Sequence, residues 1–350
     1  MPSCDLVALG GETYTLLERI GRGATGTVYR AKDGRLEFPR EVCIKRLSAR
    51  VDLELATGLR EEARLLASVR HANVVSLLGV GEEESGAPFL VLELVSGPDL
   101  RDLSRGLLGA LDGPGSLPWR LAVHVACALL RALGAVQRAV PGLVHRDVTP
   151  HNVLISTEGE VKLADFGIAL TRERAAWPSA ELVRGKIGYM APEQIRGERL
   201  DVRTDLFAVG VVLYELLAGQ RPAKARSAAA ELHAVESGLI EPLVRRRPDL
   251  PPTLLAVVDR LLATRPLDRY SGPDDALREL ASYGAGELGS LRMADLVRRH
   301  GASGHDHPVI AQSGARVVLR RQARESEPPA SVQRGSREGD RRKGAARPGR

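Results

Sequence analysis

Three groups of residues have types and spacings suited to chemistry. Gly21-Arg22-Gly23-Ala24-Thr25-Gly26-Thr27-Val28 spaces its glycines as G-x-G-x-x-G-x-V. Residues without side chains let a backbone approach phosphates closely and present N–H donors. On its own the pattern equally describes a glycine-rich hairpin turn or the turn of a dinucleotide-binding unit. The second needs a helix after the glycines, whereas Thr27-Val28-Tyr29 continues as a strand. Lys45 is one of only six lysines, at 32, 45, 162, 186, 224 and 343, in a chain that otherwise prefers arginine. A compact ammonium on a flexible stem suits polyphosphate oxygens; a solvated strand lysine is the plain alternative. The densest polar chemistry lies in 143–193, which holds His145, Arg146, Asp147, Asn152 and Asp165.

The elements that must position these residues follow from periodicity. Residues 13–95 alternate as strands in YTLLERI, TGTVYRA, EVCIKRL and FLVLELV. One helix interrupts them, with Leu59, Ala63, Leu66 and Val69 at helical spacing. From about 96 the pattern is mainly helical: WRLAVHVACALLRALGAVQ and LFAVGVVLYELLAG read as core helices, followed by helices near 227–238, 252–263 and 273–282. Past about 300 the chain is rich in Arg, Gly, Ser and Pro without periodicity, which predicts disorder. No internal repeat is present.

Composition narrows the function classes. The chain has 350 residues, 43% apolar and 3% aromatic, enough for one large two-lobed domain or two ordinary ones, with a core of Leu, Val, Ala and Ile. Cys4, Cys43 and Cys127 are widely spaced and odd in number, so neither a disulfide framework nor a zinc site is expected. The first residues lack the basic segment of a signal peptide. No run of about 18 apolar residues predicts a membrane span, and a cytoplasmic location is the expectation. Residues 316–350 carry 11 Lys and Arg against 4 Asp and Glu, so the net charge of +6 leaves the rest near neutral.

The order of motifs carries a resemblance. After the glycine loop come Val42-Cys43-Ile44-Lys45 on a strand, Glu62 on the next helix, His145-Arg146-Asp147 with Asn152, Asp165-Phe166-Gly167, and Ala191-Pro192-Glu193. This series resembles the eukaryotic-like (Hanks-type) serine/threonine protein kinase family over about 13–283. The resemblance implies an α+β, two-lobed fold: a β-rich N-lobe with one regulatory helix at 13–95 and a helical C-lobe at 96–283. Residues 1–12 then form an extension and 284–350 a basic, disordered tail. Scarce lysine beside abundant arginine points to a GC-rich coding genome and a bacterial source.

It also implies roles. Lys45 would hold the α- and β-phosphates of ATP and pair with Glu62; Glu61 is the neighbouring candidate, but the register to His71-Ala72-Asn73 favours Glu62. Asp147 would orient the substrate hydroxyl or take its proton, and Asn152 and Asp165 would bind Mg²⁺. Gly21, Arg22, Gly23, Ala24 and Gly26 would cover the phosphates. Val28, Cys43 and Leu154 would sandwich the adenine, Leu92 would guard its back, and Glu93 and Val95 would bond it through their backbones. Leu66, Leu77, His145 and Phe166 resemble the stack linking the lobes, Asp205 a brace for the catalytic loop, and Glu193 with Arg269 a buried ion pair.

Three positions depart from the family pattern. Cys43 stands where alanine is usual, as a tolerated small apolar residue or a redox sensor. Thr149 replaces the usual lysine of the catalytic loop, and Lys186 replaces the usual threonine before Ala191. The two types are exchanged, so Lys186 would supply the ammonium from the opposite side with Thr149 as its hydroxyl partner. The alternative is two independent losses that impair catalysis and leave a pseudokinase, a nucleotide-binding switch or scaffold. Pro150 and the absence of an Ala-Ala-Arg-Asn-like loop argue against a dedicated tyrosine kinase, and the resemblance implies protein Ser and Thr hydroxyls as acceptors.

Arg146 resembles the arginine that awaits an activation-segment phosphate, with Thr171 and Ser179 as candidates. The tail reads as a solvated extension or as a surface for an acidic partner. It has no interleaved aromatics, which argues against specific nucleic-acid binding.

Overall fold

A computed structural model describes residues 6–9, 12–22, 26–34, 39–47, 53–83, 86–107, 117–166, 187–223, 225, 227–283 and 288–300. The N-lobe is a six-stranded antiparallel sheet in the order β1-β2-β3-β4-β6-β5. Its strands are β1 (Leu6–Leu9), β2 (Glu12–Arg22), β3 (Gly26–Asp33), β4 (Arg40–Leu47), β5 (Leu77–Glu82) and β6 (Pro88–Glu93). Helix α1 (Leu53–Ser68) packs on β5 and β6.

Alternation along β4 sends its side chains to two separate apolar clusters. Val42 and Ile44 join Tyr14, Leu16, Ala31, Phe89 and Val91 on one face. Cys43 and Leu47 face the other way, into the core that continues through the C-lobe. The period-2 reading of EVCIKRL therefore also fixes which face of the sheet Lys45 occupies.

The C-lobe is built on two helices, α3 (Trp119–Ala139) and, after α2 (Leu100–Leu107) and the short α4 (Pro192–Ile195), α5 (Val202–Ala218). Asp201 caps α5 by accepting the Arg203 amide at 2.8 Å, and Gly219 ends it in the left-handed region at φ 71°. A helix apolar all round must be buried, and α5 is buried from Thr204 to Ala218 except at Glu215. Among the described helices α3 alone is long and apolar enough to cross a membrane, and 78% of that window is buried inside the protein. Helices α6 (Ala228–Glu236), α7 (Pro252–Leu261) and α8 (Pro273–Leu280) complete the lobe. A two-stranded hairpin, β7 (Val153–Ile155) and β8 (Val161–Leu163), lies between α3 and α4 in sequence.

Two boundaries need correcting. The stretch read as an extension before residue 13 contributes β1, paired from Leu6↔Thr15 to Leu9↔Glu12. The stretch read as disordered from 284 contains helix α9 (Leu288–His300), whose Met293, Ala294 and Val297 are buried. Three inward positions at helical spacing are too short a signal to stand out beside the Arg-rich sequence that follows. Residues 301–350 lie outside the described residues.

Candidate active site between the lobes

The cleft is assembled from elements far apart in sequence. Lys45 pairs across the sheet with Val28 on β3 and Leu90 on β6, on the inward face. Its Nζ lies 2.8 and 3.0 Å from the two carboxylate oxygens of Glu62 and 3.0 Å from Oδ1 of Asp165. On α1, Leu59, Glu62, Ala63 and Leu66 are buried and Glu61 is exposed, so the 3.6-residue period settles the choice between the two glutamates. Burial opposes the charge on Lys45, but the carboxylates of Asp165 and Glu62 outweigh it and hold its pKa above the ordinary lysine range.

The catalytic-loop segment is held by its backbone. Asp205 on α5 accepts the amides of His145 and Arg146, each at 2.8 Å. Complete burial pushes Asp205 up to about 7, against the pull of those two amides and of Arg146. Arg146 and Asp165 are the two described non-glycine residues in the left-handed region, at φ 68° and 52°. Such a conformation costs of order 1–3 kcal/mol and persists only where the surroundings over-determine it. The Asn152 amide nitrogen donates to the Asp147 carbonyl and to its Oδ2, both at 2.8 Å. His145 stacks on Phe166 at 4.6 Å. Leu66 and Phe166 share the continuous core, with Leu77 packed against it.

Val28, Cys43, Leu92, Val95 and Leu154 belong to that same core cluster. Leu92 pairs with Cys43 across β6 and β4. Burial raises the Cys43 thiol far above its ordinary pKa, Asp165 adding to the effect and Lys45 opposing it. A thiol so held is inert. The Glu93 amide is donated to Ser76 O at 3.0 Å, so a backbone contact from Glu93 to adenine falls to its carbonyl oxygen. Its side chain accepts the Ser76 amide at 2.7 Å and Lys162 Nζ at 3.1 Å. This tie between the lobe junction and β8 escaped the sequence reading. The scarcity of lysine was the one signal that marked Lys162.

Gly26 has its own reason to be glycine. A Cβ there would lie 2.0 Å from the carbonyl oxygen of Arg46. Gly21, Arg22 and Val28 lie on β2 and β3, paired as Gly21↔Val28 and Arg22↔Thr27.

The end of the activation segment is pinned to the catalytic loop. Gln194 Nε2 donates to Arg146 O at 3.2 Å, and its Oε1 accepts the Ala191 amide at 2.9 Å. Nothing in the spacing singled out Gln194. Below it, Arg269 grips Glu193 with both terminal nitrogens at 2.7 and 2.9 Å, and Thr204 Oγ1 adds a donor at 2.9 Å. Tyr189 OH donates to Glu215. Thr149 is buried beside the loop. Gly23, Ala24, Gly167, Thr171, Ser179 and Lys186 lie outside the described residues.

The donor set suits a hard cation. Asn152 commits its amide nitrogen to Asp147, which leaves its carbonyl oxygen as an acceptor, and Asp165 has a second oxygen beyond the one on Lys45. Two protein oxygens are what Mg²⁺ takes when water and phosphate supply the rest. Among the described residues no cluster of three or more His, Cys, Asp or Glu could hold a metal ion by itself.

Comparison with known proteins shows the family of the chain. The serine/threonine-protein kinase PknL of Mycobacterium tuberculosis is 36% identical over 266 residues, covering 75% of this chain and 64% of PknL. The tyrosine-protein kinase MasK of Myxococcus xanthus is 34% identical over 300 residues, covering 82% of this chain and 46% of MasK. The chain thus spans less than two thirds of the length of either relative. A crystal structure of the PknI kinase domain of Mycobacterium tuberculosis superposes with a TM-score of 0.58 at 27% identity, covering 81% of this chain and 99% of that one. Residues 14–280 match the family described as the protein kinase domain, and the chain belongs to that family.

Proposed function

We propose that the chain is an ATP- and Mg²⁺-dependent protein kinase that phosphorylates Ser or Thr hydroxyls of proteins. The observation that carries this reading is Lys45 Nζ, held between Glu62 and Asp165 at 2.8 to 3.0 Å. That contact joins β4, α1 and the strand exit after β8 into one site. Bound Mg-ATP supplies the phosphoryl group and the charge that neutralises it. In this reading Lys45 keeps the α- and β-phosphates in register, and Asn152 and Asp165 hold the metal. Asp147, fixed by the Asn152 amide, orients the acceptor hydroxyl and takes its proton. Gly21, Arg22, Gly23, Ala24 and Gly26 belong to the phosphate cover. Val28, Cys43, Leu92, Leu154, the Glu93 carbonyl and the Val95 backbone form the adenine site. A compartment that supplies ATP, such as the cytoplasm, and protein substrates belong to the same proposal.

Phosphoryl transfer asks a protein mainly for alignment and charge neutralisation. Lys186 supplies the ammonium that Thr149 lacks, a reading supported by the exchange of residue types at the two positions. Thr149 also supports the second reading, a nucleotide-binding pseudokinase. Transfer of labelled γ-phosphate from Mg-ATP to a generic basic protein, compared between wild type and Asp147→Asn, decides between them. Label on Ser or Thr that vanishes in the variant supports the enzyme. Label on Tyr corrects the acceptor class. ATP binding without label establishes the pseudokinase. Loss of transfer in Lys186→Ala, with binding intact, is the expected sign of the exchange.

A further inference from the structure

The family match stops at residue 280, yet α9 follows and is packed into the C-lobe against α2 and α3. Met293, Ala294 and Val297 are its buried hydrophobic residues, 0%, 3% and 4% exposed. Burial of three side chains alone describes an ordinary docked helix. The contact with the β7–β8 turn is closer than that. Gly159, at φ 81°, lies so near the helix that a Cβ on it would sit 1.9 Å from Ser290 O and 2.7 Å from Ala294 N. On the helix, a Cβ on Gly289 would sit 2.3 Å from Nδ1 of His124 on α3. Two glycines let backbone meet backbone on one side and backbone meet imidazole on the other.

The turn is hydrogen-bonded within itself and held on its far side too. Ser156 N donates to Glu160 O at 2.9 Å and Gly159 N to Ser156 O at 2.8 Å, while Ser156 Oγ accepts the Glu160 amide at 3.0 Å. Thr157 N donates to Ser96 O at 2.7 Å and Ile155 N to Pro98 O at 3.0 Å, tying the hairpin to the chain that leaves the lobe junction. The turn is therefore clamped between Ser96–Pro98 and α9. Its strands are three residues each. One begins directly after Asn152 and contains Leu154; the other carries Lys162 and leads within two residues to Asp165.

We propose that α9 is a positioning element of the nucleotide site: docked on the Gly159 turn, it holds the β7–β8 hairpin so that Leu154, Asn152 and Asp165 keep their places. The proposal rests on the nucleotide-binding reading given above. Coupling of this kind is reciprocal, so bound nucleotide tightens the docking of α9.

The test uses the full chain and a fluorescent ATP analogue with Mg²⁺. Met293→Asp undocks α9 from the lobe, Gly159→Ala pushes the turn off the helix, and Leu291→Asp on the exposed face of α9 is the control. Both undocking variants are expected to weaken nucleotide binding roughly 2- to 30-fold, the range for mutations along a coupled network. In a transfer assay the same change raises KM for ATP and lowers kcat with it, because Asn152 and Asp165 shift together with Leu154. Leu291→Asp changes neither. Nucleotide slows amide exchange in 288–300 of the wild type, a readout that stands even if the variants fail to fold. Unchanged affinity in Met293→Asp despite a lowered Tm, or exchange in 288–300 indifferent to nucleotide, overturns the proposal and leaves α9 as a stabilising helix only. A wild type that binds no nucleotide sinks the kinase reading, and this proposal with it; a wild type that binds while all variants bind equally sinks this proposal alone.

Discussion

Asp205, the fourth residue of α5, accepts the consecutive amides of His145 and Arg146 on different carboxylate oxygens, both at 2.8 Å. Consecutive amides rarely converge on one point. They do so here because Arg146 is left-handed at φ 68°, and the carboxylate in turn holds that conformation. Asn at 205 offers one acceptor and turns its NH₂ against the other amide. Asp205→Asn is expected to cost roughly 1–3 kcal/mol, the penalty for stranding a buried donor, and to cut phosphotransfer while ATP binding survives. Thermal denaturation and nucleotide titration together check it. Unchanged turnover would show that the loop does not depend on this brace.

Lys45 sits against two carboxylates, so its removal strands two negative charges in the cleft. Lys45→Met is expected to abolish detectable transfer and to cost about 3–5 kcal/mol. Adding Glu62→Leu removes one stranded charge and should return much of the stability with none of the activity. If the double variant is as unstable as the single one, the Lys45–Glu62 pair is not the source of the loss.

Burial pushes the Glu193 carboxyl up, but the two-pronged Arg269 contact and the Thr204 hydroxyl outweigh it and leave the carboxyl below the ordinary carboxylate range. A carboxyl with a depressed folded-state pKa binds its proton more readily when unfolded. Its stabilisation is complete at neutral pH and is lost as pH falls below roughly 4, through the folded-state value. Glu193→Gln should therefore be less stable at pH 7, by about 3–5 kcal/mol for a stranded buried arginine, and the gap to wild type should narrow in acid. Denaturant midpoints at pH 7 and pH 3.5 measure this, and a gap independent of pH would contradict it.

Cys43 and Cys127 are both buried, and burial raises both thiols, Cys127 to about 11. Thiolate is the reactive form, so neither should be alkylated by iodoacetamide at pH 7.5 until the chain unfolds. Peptide mapping by mass spectrometry checks this residue by residue. Rapid modification of Cys43 in the folded protein would revive the redox-sensor reading.

The sequence read most clearly where local pattern and site coincide. Alternation along β4 places Lys45 on the cleft face, and helical spacing along α1 turns Glu62 rather than Glu61 inward. What it hid are contacts made by residues with no pattern of their own. Gln194 reaches the Arg146 carbonyl across 48 positions and Lys162 reaches Glu93 across 69; neither separation leaves a periodic trace. Helix α9 was hidden because the Arg-rich stretch that follows masks three inward residues. Lys186 and Ser179 lie outside the described residues, and the Lys186→Ala transfer assay is the test of the exchange with Thr149.

The two left-handed residues, Arg146 and Asp165, have a further consequence. Glycine would relieve the backbone at either position, but at 165 it would also take away the carboxylate that faces Lys45 and the oxygen proposed for the metal. A screen that rewards heat resistance alone would be drawn to these two codons. On the kinase reading proposed above they are where strain is kept for the site, and a stabilised version has to be sought elsewhere in the sequence.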